Sequence, residues 1–179
     1  MAYGNVVLDG IGAGNIVLEG LGGLEEAWFN VSIRQQIMGL IGTRLEGILI
    51  ADGYETDIGS RVYEWRQESI PEALIPCLVY RDDPEESFAD ETVPRGRHRH
   101  RLMVSVDVVA LGSLVISTVR KMIADVIKAV GADTTWGGVA LNTEPPMDEI
   151  HIEQKERKIG GATVKFVILY ETGRWNPAG

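Results

Sequence analysis

The sequence predicts an α+β domain in which two helices pack on one face of a mainly antiparallel sheet. Apolar residues recur at helical spacing over residues 31–52 and 113–130, whereas they alternate at period two over 102–110 and 162–172. The predicted elements follow the order helix, strands, long strand, helix, strands. A hydrophobic content of 45% in 179 residues fits one domain with a sizeable core.

We expect the first 28 residues to form an arm outside this domain, which then spans residues 29–179. Residues 4–12 (GNVVLDGIG) are echoed by residues 14–22 (GNIVLEGLG), and each unit is a short apolar segment between glycines. A solenoid needs at least about three repeats to bury a core, so two copies do not predict one. Two interpretations stay open: a flexible glycine-rich tail, or a hairpin arm that adds strands to a partner's sheet edge.

The first helix is predicted over residues 31–52, with Asn30 or Ser32 accepting a free backbone N–H at its start. Gly53 is able to adopt the left-handed conformation that ends a helix. Glycines within the helix weaken it, and we interpret them as marks of close packing against the sheet. The predicted apolar face comprises Ile33, Ile37, Leu40, Ile41, Leu45, Ile48 and Leu49.

A buried strand is predicted over residues 77–80, and residues 82–91 form a dense acidic run that is typical of a solvated, mobile loop. Arginine and histidine then alternate over residues 95–101. Period two puts the arginines on one face of a strand, and it puts His98 and His100 on the face of the following apolar residues.

The second helix is predicted over residues 113–130, with Ser113 as its cap and Gly131 at its end. We expect Trp136 to fill the corner between this helix and the next strand. Gly160 and Gly161 are predicted to form a tight turn before the last strand. The apolar face of the helix comprises Ile116, Val119, Ile123, Val126, Ile127 and Val130.

Composition excludes several classes of function. A net charge of −9 argues against a general nucleic-acid binder, which carries a basic patch. Cys77 is the single cysteine, so neither an internal disulfide nor a thiolate metal site is available. No apolar run approaches the roughly 20 residues of a membrane-spanning helix, and we expect a soluble protein with no membrane partner.

Motifs for catalysis are absent from the sequence, so we predict no catalytic residues, no cofactor and no metal. The glycine pairs lack the spacing of a phosphate loop, and no nucleophile motif frames a serine. A metal-dependent hydrolase that uses His98, His100 and His151 stays open as an alternative. It needs another ligand, and the arginines beside the histidines would repel a cation.

Taken together, residues 33–175 resemble the tail terminator (tail completion, minor tail) proteins of long-tailed bacteriophages. The segments that carry the resemblance are the opening helix, residues 54–59 (YETDIG), strand 102–110, helix 113–130, residues 136–145 (WGGVALNTEP) and residues 170–175 (YETGRW). The arm has no counterpart in the family's common core. The resemblance implies an α+β sandwich and no enzymatic activity.

The resemblance also implies partners and a location. Family members form rings, typically hexamers, that end growth of the tail tube and provide the surface for head attachment. The expected partners are further copies of the chain, the tail tube protein, a head-completion or connector protein and the tape-measure protein. DNA would pass through the ring without sequence-specific binding. The location is the tail or neck of the virion, and the host cytoplasm during assembly; a head-side neck adaptor is the alternative.

Residues 82–91 and residues 95–101 carry opposite charges, and they are suited to the head-to-tail contact of such a ring. We hypothesise that the acidic run is mobile in a free subunit and orders against the arginines of an adjacent copy. Trp175 is expected either to pack on its own domain or to anchor a partner. The interface residues of this hypothesis are Asp82, Asp83, Glu85, Glu86, Arg95, Arg97, Arg99, Arg101 and Trp175.

Overall fold

The computed structural model describes residues 31–66, 68–88, 96–154 and 158–179, with the backbone alone at 86–88, 151–154 and 158. It confirms an α+β fold with two helices and a mostly antiparallel sheet. The predicted arm over residues 1–28 lies outside the described residues. The helices are α1 (Ile33–Glu46) and α2 (Val115–Gly131). The strands are β1 (Val62–Glu64), β2 (Cys77–Asp82), β3 (Glu86–Phe88), β4 (Arg97–Leu111), β5 (Asn142–Thr143), β6 (Met147–Gln154) and β7 (Lys158–Gly173).

The two long strands, β4 and β7, form the centre of the sheet. They pair antiparallel along the whole of β4, from Arg97 opposite Gly173 to Leu111 opposite Ile159. Antiparallel β2 and β3 lie beside β4, and β1 continues the sheet parallel to β2. Strands β5 and β6 lie on the other side of β7. Each side of the central pair therefore ends in short strands.

The predicted alternation of the long strands is confirmed. Every second residue of β4 and β7 points at the helices, and these side chains join α1 and α2 in one core. Fully burying one such side chain contributes about 1.5–3 kcal/mol. The predicted inward residues of the two strands are all buried: Leu102, Val104, Val106, Val108, Ala110, Val164, Phe166, Ile168 and Tyr170. The residues that alternate with them lie on the other side of the sheet, the open face, which carries polar and charged residues.

Helix α1 is shorter than the sequence predicts. The Ser32 side chain caps its start by accepting a hydrogen bond from the Gln35 N–H, as expected. The chain leaves the helix at Gly47, and Leu49 is already extended before a short 3-10 helix that ends at left-handed Gly53. The end shifts because the backbone turns at Gly47, so apolar spacing alone extended the prediction too far. Leu40, expected on the apolar face, is 37% exposed.

Helix α2 also differs in detail from its prediction. It begins at Val115, and no side chain caps it, so Ser113 is not the cap. Ile116 and Ile127 were expected to be buried but are 43% and 36% exposed. At roughly 100° per residue they lie about 60–80° around the axis from Val119. The buried stripe is centred on the other side of Val119, so these two isoleucines fall at its rim.

The prediction of a tight turn at Gly160 and Gly161 is wrong. Both glycines lie inside β7, where they pair with β4 on one side and β6 on the other. A Cβ at Gly160 would lie 2.7 Å from Val115 Cγ2, and one at Gly161 would lie 3.0 Å from Val108 O. Gly160 therefore lets the start of α2 approach the sheet closely, and Gly161 fits against the backbone of β4. Local turn chemistry reveals neither of these long-range reasons.

The corner after α2 agrees with the prediction that Trp136 fills it. Trp136 is 1% exposed, and its ring lies 6.4 Å from the ring of Phe166. Its indole N–H donates a hydrogen bond of 2.8 Å to Thr143 Oγ1, and the Arg44 guanidinium lies 4.0 Å from its ring centre. These contacts join α1, the corner and β5.

Gly59 and Gly39 offer a matched test of close packing around α1. A Cβ at Gly59 would press on the carbonyl oxygens of Leu45 and Glu46, while one at Gly39 of α1 would meet nothing within 4 Å. We expect Gly59→Ala to lower the free energy of unfolding by about 1–3 kcal/mol. We expect Gly39→Ala to leave it unchanged or raise it by up to about 1 kcal/mol. Urea unfolding checks both; equal effects would contradict this account of Gly59.

Candidate interaction surfaces

Glu85 is the centre of a polar cluster where α1 begins and where β4 and β7 meet. Its Oε1 lies 2.7 Å from His100 Nδ1, and its Oε2 accepts a hydrogen bond of 2.7 Å from the Tyr170 hydroxyl. Arg34 Nη1 lies 3.6 Å from Glu85 Oε2. One carboxylate thus connects the loop after β2 to both long strands and to α1.

His100 has contacts at both of its ring nitrogens. Nδ1 faces Glu85, and Nε2 lies 2.8 Å from Thr172 Oγ1. The imidazole stacks on the Tyr170 ring with centroids 4.7 Å apart. Burial, together with the hydrogen bond to Glu85, raises the pKa of Tyr170 well above its ordinary value, so the phenol stays protonated and donates. This arrangement orients the imidazole and leaves neither nitrogen directed at solvent.

Asp82 forms a second polar junction beside the first. Its Oδ2 accepts a hydrogen bond of 2.6 Å from Arg34 Nε, and its Oδ1 accepts one of 2.5 Å from the Trp65 indole N–H. Burial pushes the pKa of Asp82 upward, but the hydrogen bonds from Trp65 and Arg34 outweigh it, and the pKa is lowered. Asp83 Oδ2 accepts a hydrogen bond of 2.5 Å from the buried Ser105 hydroxyl.

These contacts correct the expectation that the acidic run is a mobile loop throughout. Its first part is held within the subunit, because Arg34 and Ser105 on neighbouring elements provide partners and residues 86–88 form β3 against β4. The last part, residues 89–91, lies outside the described residues. Acidic side chains that look unpaired along the sequence are therefore paired once folding brings α1 and β4 beside them.

The arginines of β4 follow the predicted parity on the open face of the sheet. Arg99 Nη2 donates a hydrogen bond of 2.9 Å to Glu171 Oε1, and Arg97 Nε lies 3.5 Å from Glu171 Oε2. Arg101 Nη2 lies 3.2 Å from Glu144 Oε2. All three therefore have acidic partners within the chain, whereas the sequence pointed to an adjacent copy.

Interface roles for these charged residues stay a prediction, because the structure holds one subunit. Asp82, Asp83, Glu85, Arg97, Arg99 and Arg101 are described with partners in that subunit. Arg95 and the side chain of Glu86 lie outside the described residues. A contact between copies through this set would compete with the intramolecular pairs, which reduces its net contribution.

The C-terminal tail turns back from β7 toward the start of α1. The Arg174 N–H donates to Gly96 O at 2.7 Å, and Pro177 O accepts a hydrogen bond of 2.8 Å from the Ile33 N–H. The second bond satisfies one of the free N–H groups of the first helical turn. The tail is therefore fixed at two points on either side of Trp175.

Trp175 lies on the rim of a cleft, and the described part of the domain leaves most of its side chain uncovered. Its residue is 88% exposed, its φ is 60°, and its ring centre lies 6.4 Å from that of His98. Of the two predicted roles, packing on its own domain is wrong, and anchoring a partner stays a prediction. The cleft has a volume of about 650 Å³ and is lined by Arg34, Glu85, His98, His100, Tyr170 and Pro177, among others.

A second surface lies across the sheet, along β5 and β6. Leu141, Met147 and Ile150 are exposed by 48%, 67% and 41%, and Met103 on the open face is 36% exposed. A pocket of about 220 Å³ here, the edge pocket, is lined by Met103, Glu144, Pro145, Met147, Lys165, Phe166 and Val167. Sequence reasoning missed this surface. The sequence did offer one sign of it. Met147 and Ile150 are three residues apart, so their side chains lie on opposite faces of a strand and one buried face cannot cover both.

A metal-dependent hydrolase gains no support from the described side chains. Among them, no three His, Cys, Asp or Glu residues are grouped as metal ligands. His98 and His100 do share the helix face of β4, as predicted, but His100 is engaged by Glu85 and Thr172. The side chain of His151 lies outside the described residues. In the described part of the chain, no helix is both long and apolar enough to span a membrane.

Comparisons with known proteins add no family. No protein-family model matches the chain, and a search of curated proteins finds no similar one.

Acid titration tests the junction at Asp82. Because folding lowers its pKa below 3.8, its contribution is present above about pH 4 and is lost as the pH falls through the folded value. We expect Asp82→Asn to lower the free energy of unfolding at pH 7 by about 1–3 kcal/mol. The difference from the wild-type chain should disappear at low pH. Asp52→Asn, at an exposed carboxylate, is the control; a constant difference across the pH range would refute this role.

Proposed function

We propose that this chain is the subunit of a ring that caps a bacteriophage tail tube, ends its polymerisation and provides the surface for head joining. The proposal comes from the resemblance of residues 33–175 to tail terminator proteins, with which the α+β fold agrees. The observation that carries it in the structure is the presence of two unlike exposed features on different sides of one sheet. One is Trp175 on the tail, and the other is the edge pocket.

The positions of these features suit head-to-tail association. The tail turns toward the start of α1 on the helix side, whereas β5 and β6 flank β7 on the side away from β4. A contact between two different patches is heterologous, and repeated contacts of that kind make a ring when the rotation closes. A symmetric dimer would instead use the same patch twice. A contact between Trp175 and the edge pocket would therefore support a ring rather than an isolated pair.

The partners of the proposed ring are further copies of the chain, the tail tube protein and a connector protein on the head side. We propose no chemical step, since the polar cluster around Glu85 connects elements of the fold through groups that satisfy one another. A neck adaptor would use the same kind of ring but would bind the connector without stopping the tube. Growth of the tube is thus the observation that separates the two roles.

Light scattering after size exclusion, followed by negative-stain imaging, tests this function. We expect the chain to form a discrete closed ring, alone or on tube ends, and to shorten tubes when it is added during polymerisation. Chain added after polymerisation is complete is the control, and it should cap ends without changing length. A monomer at every concentration, with and without tube protein, would contradict the ring. Rings that bind connector but leave tube length unchanged would show an adaptor.

A further inference from the structure

We propose that Trp175 of one subunit inserts into the edge pocket of the next subunit. The contact rests on the proposed function, because it requires the chain to associate with copies of itself, and it names the surfaces that meet. Trp175 itself belongs to neither the polar cluster nor the core, and the edge pocket is lined mostly by residues outside the core.

Trp175 has the properties of an anchor. It is 88% exposed, and the hydrogen bonds of Arg174 to Gly96 and of Ile33 to Pro177 fix the backbone on both sides of it. A side chain that is already positioned loses less conformational entropy on binding. Tryptophan is also among the residue types enriched at the energetic centres of protein interfaces.

The edge pocket is suited to one large side chain. Its volume of about 220 Å³ lies below the roughly 300–1,000 Å³ of pockets for small ligands. Met103 and Met147 line it, and methionine sulfur makes favourable contacts with aromatic rings. Exposed Lys165 also lines the pocket, and an ammonium group is attracted to the face of an indole.

Charge complementarity selects another copy of this chain as the occupant. Exposed Arg174 is next to Trp175 in the sequence. On the other surface, exposed Asp148 directly follows Met147, which lines the edge pocket. Insertion of Trp175 therefore brings Arg174 toward Asp148. Two tails facing each other would bring the two Arg174 side chains together, which disfavours a symmetric contact.

The arrangement explains how association would continue beyond two subunits. Each subunit has one Trp175 and one edge pocket, and a single contact uses only one of them. A pair of subunits therefore keeps one free Trp175 and one free pocket until the chain of subunits closes.

Complementation between two variants of the full chain tests the contact. Trp175→Ala removes the anchor and keeps the pocket, whereas Met147→Arg blocks the pocket and keeps the anchor. We expect each variant alone to be monomeric, with association weakened by about 30-fold or more. An equal mixture should form a heterodimer and nothing larger, because that pair retains neither a free anchor nor an open pocket. Light scattering measures the masses.

Controls separate this contact from folding and from the ring itself. Met147 and Trp175 are exposed, so both variants should keep the wild-type melting temperature, and Leu114→Arg at another exposed apolar position should still form rings. Intact rings in either variant, or a mixture that stays monomeric while the wild-type chain forms rings, would overturn the contact and leave the ring standing. Rings of Trp175→Ala that fail to cap tubes would assign Trp175 to the tube protein instead. A wild-type chain that never associates would overturn both proposals.

Discussion

The antiparallel pairing of β4 with β7 is the constraint on which the rest of the structure depends. It runs the full length of β4, and it places one set of alternating residues under both helices and the other set on the open face. Because the side-chain period is two, a shift of one residue would exchange those faces. The same register aligns His100 with Tyr170 and Arg99 with Glu171. The core, the polar cluster around Glu85 and the ion pairs of the open face therefore all depend on this one register.

The parts of the fold that sequence reasoning predicted are those with a local physical cause. Alternation over the long strands identified buried residues such as Val104 and Phe166, because the period of a strand is a property of neighbouring residues. Gly160 was misassigned because it makes room for Val115 of a distant helix, and Gly161 because it fits against the backbone of β4. The cap at Ser32 was predictable because it depends on neighbouring residues, whereas the place of Gly160 inside β7 depends on a distant helix.

The candidate surfaces were less predictable, since their properties come from which elements become neighbours. The acidic run looked free along the sequence, yet Asp82 is paired with Arg34 and Trp65 after folding. Exposure of Met147 depends on the position of β6 beside β7 and away from the helices. Trp175 was identified as a residue in need of a partner, but only the path of the tail shows that the described residues leave it 88% exposed. Charge and apolar patterns in the sequence therefore identify a surface only once the order of the strands is known.

Hydrogen–deuterium exchange of dilute and assembled chain is the most direct measurement of the proposed head-to-tail association. We expect two separate segments, 141–150 and 173–177, to gain protection together on assembly, since they are the two sides of the proposed repeated contact. The exposed side of α2, including Ile116 and Ile127, should exchange equally in both states. Protection gained on α2 and not at the tail or along β5 and β6 would contradict the account.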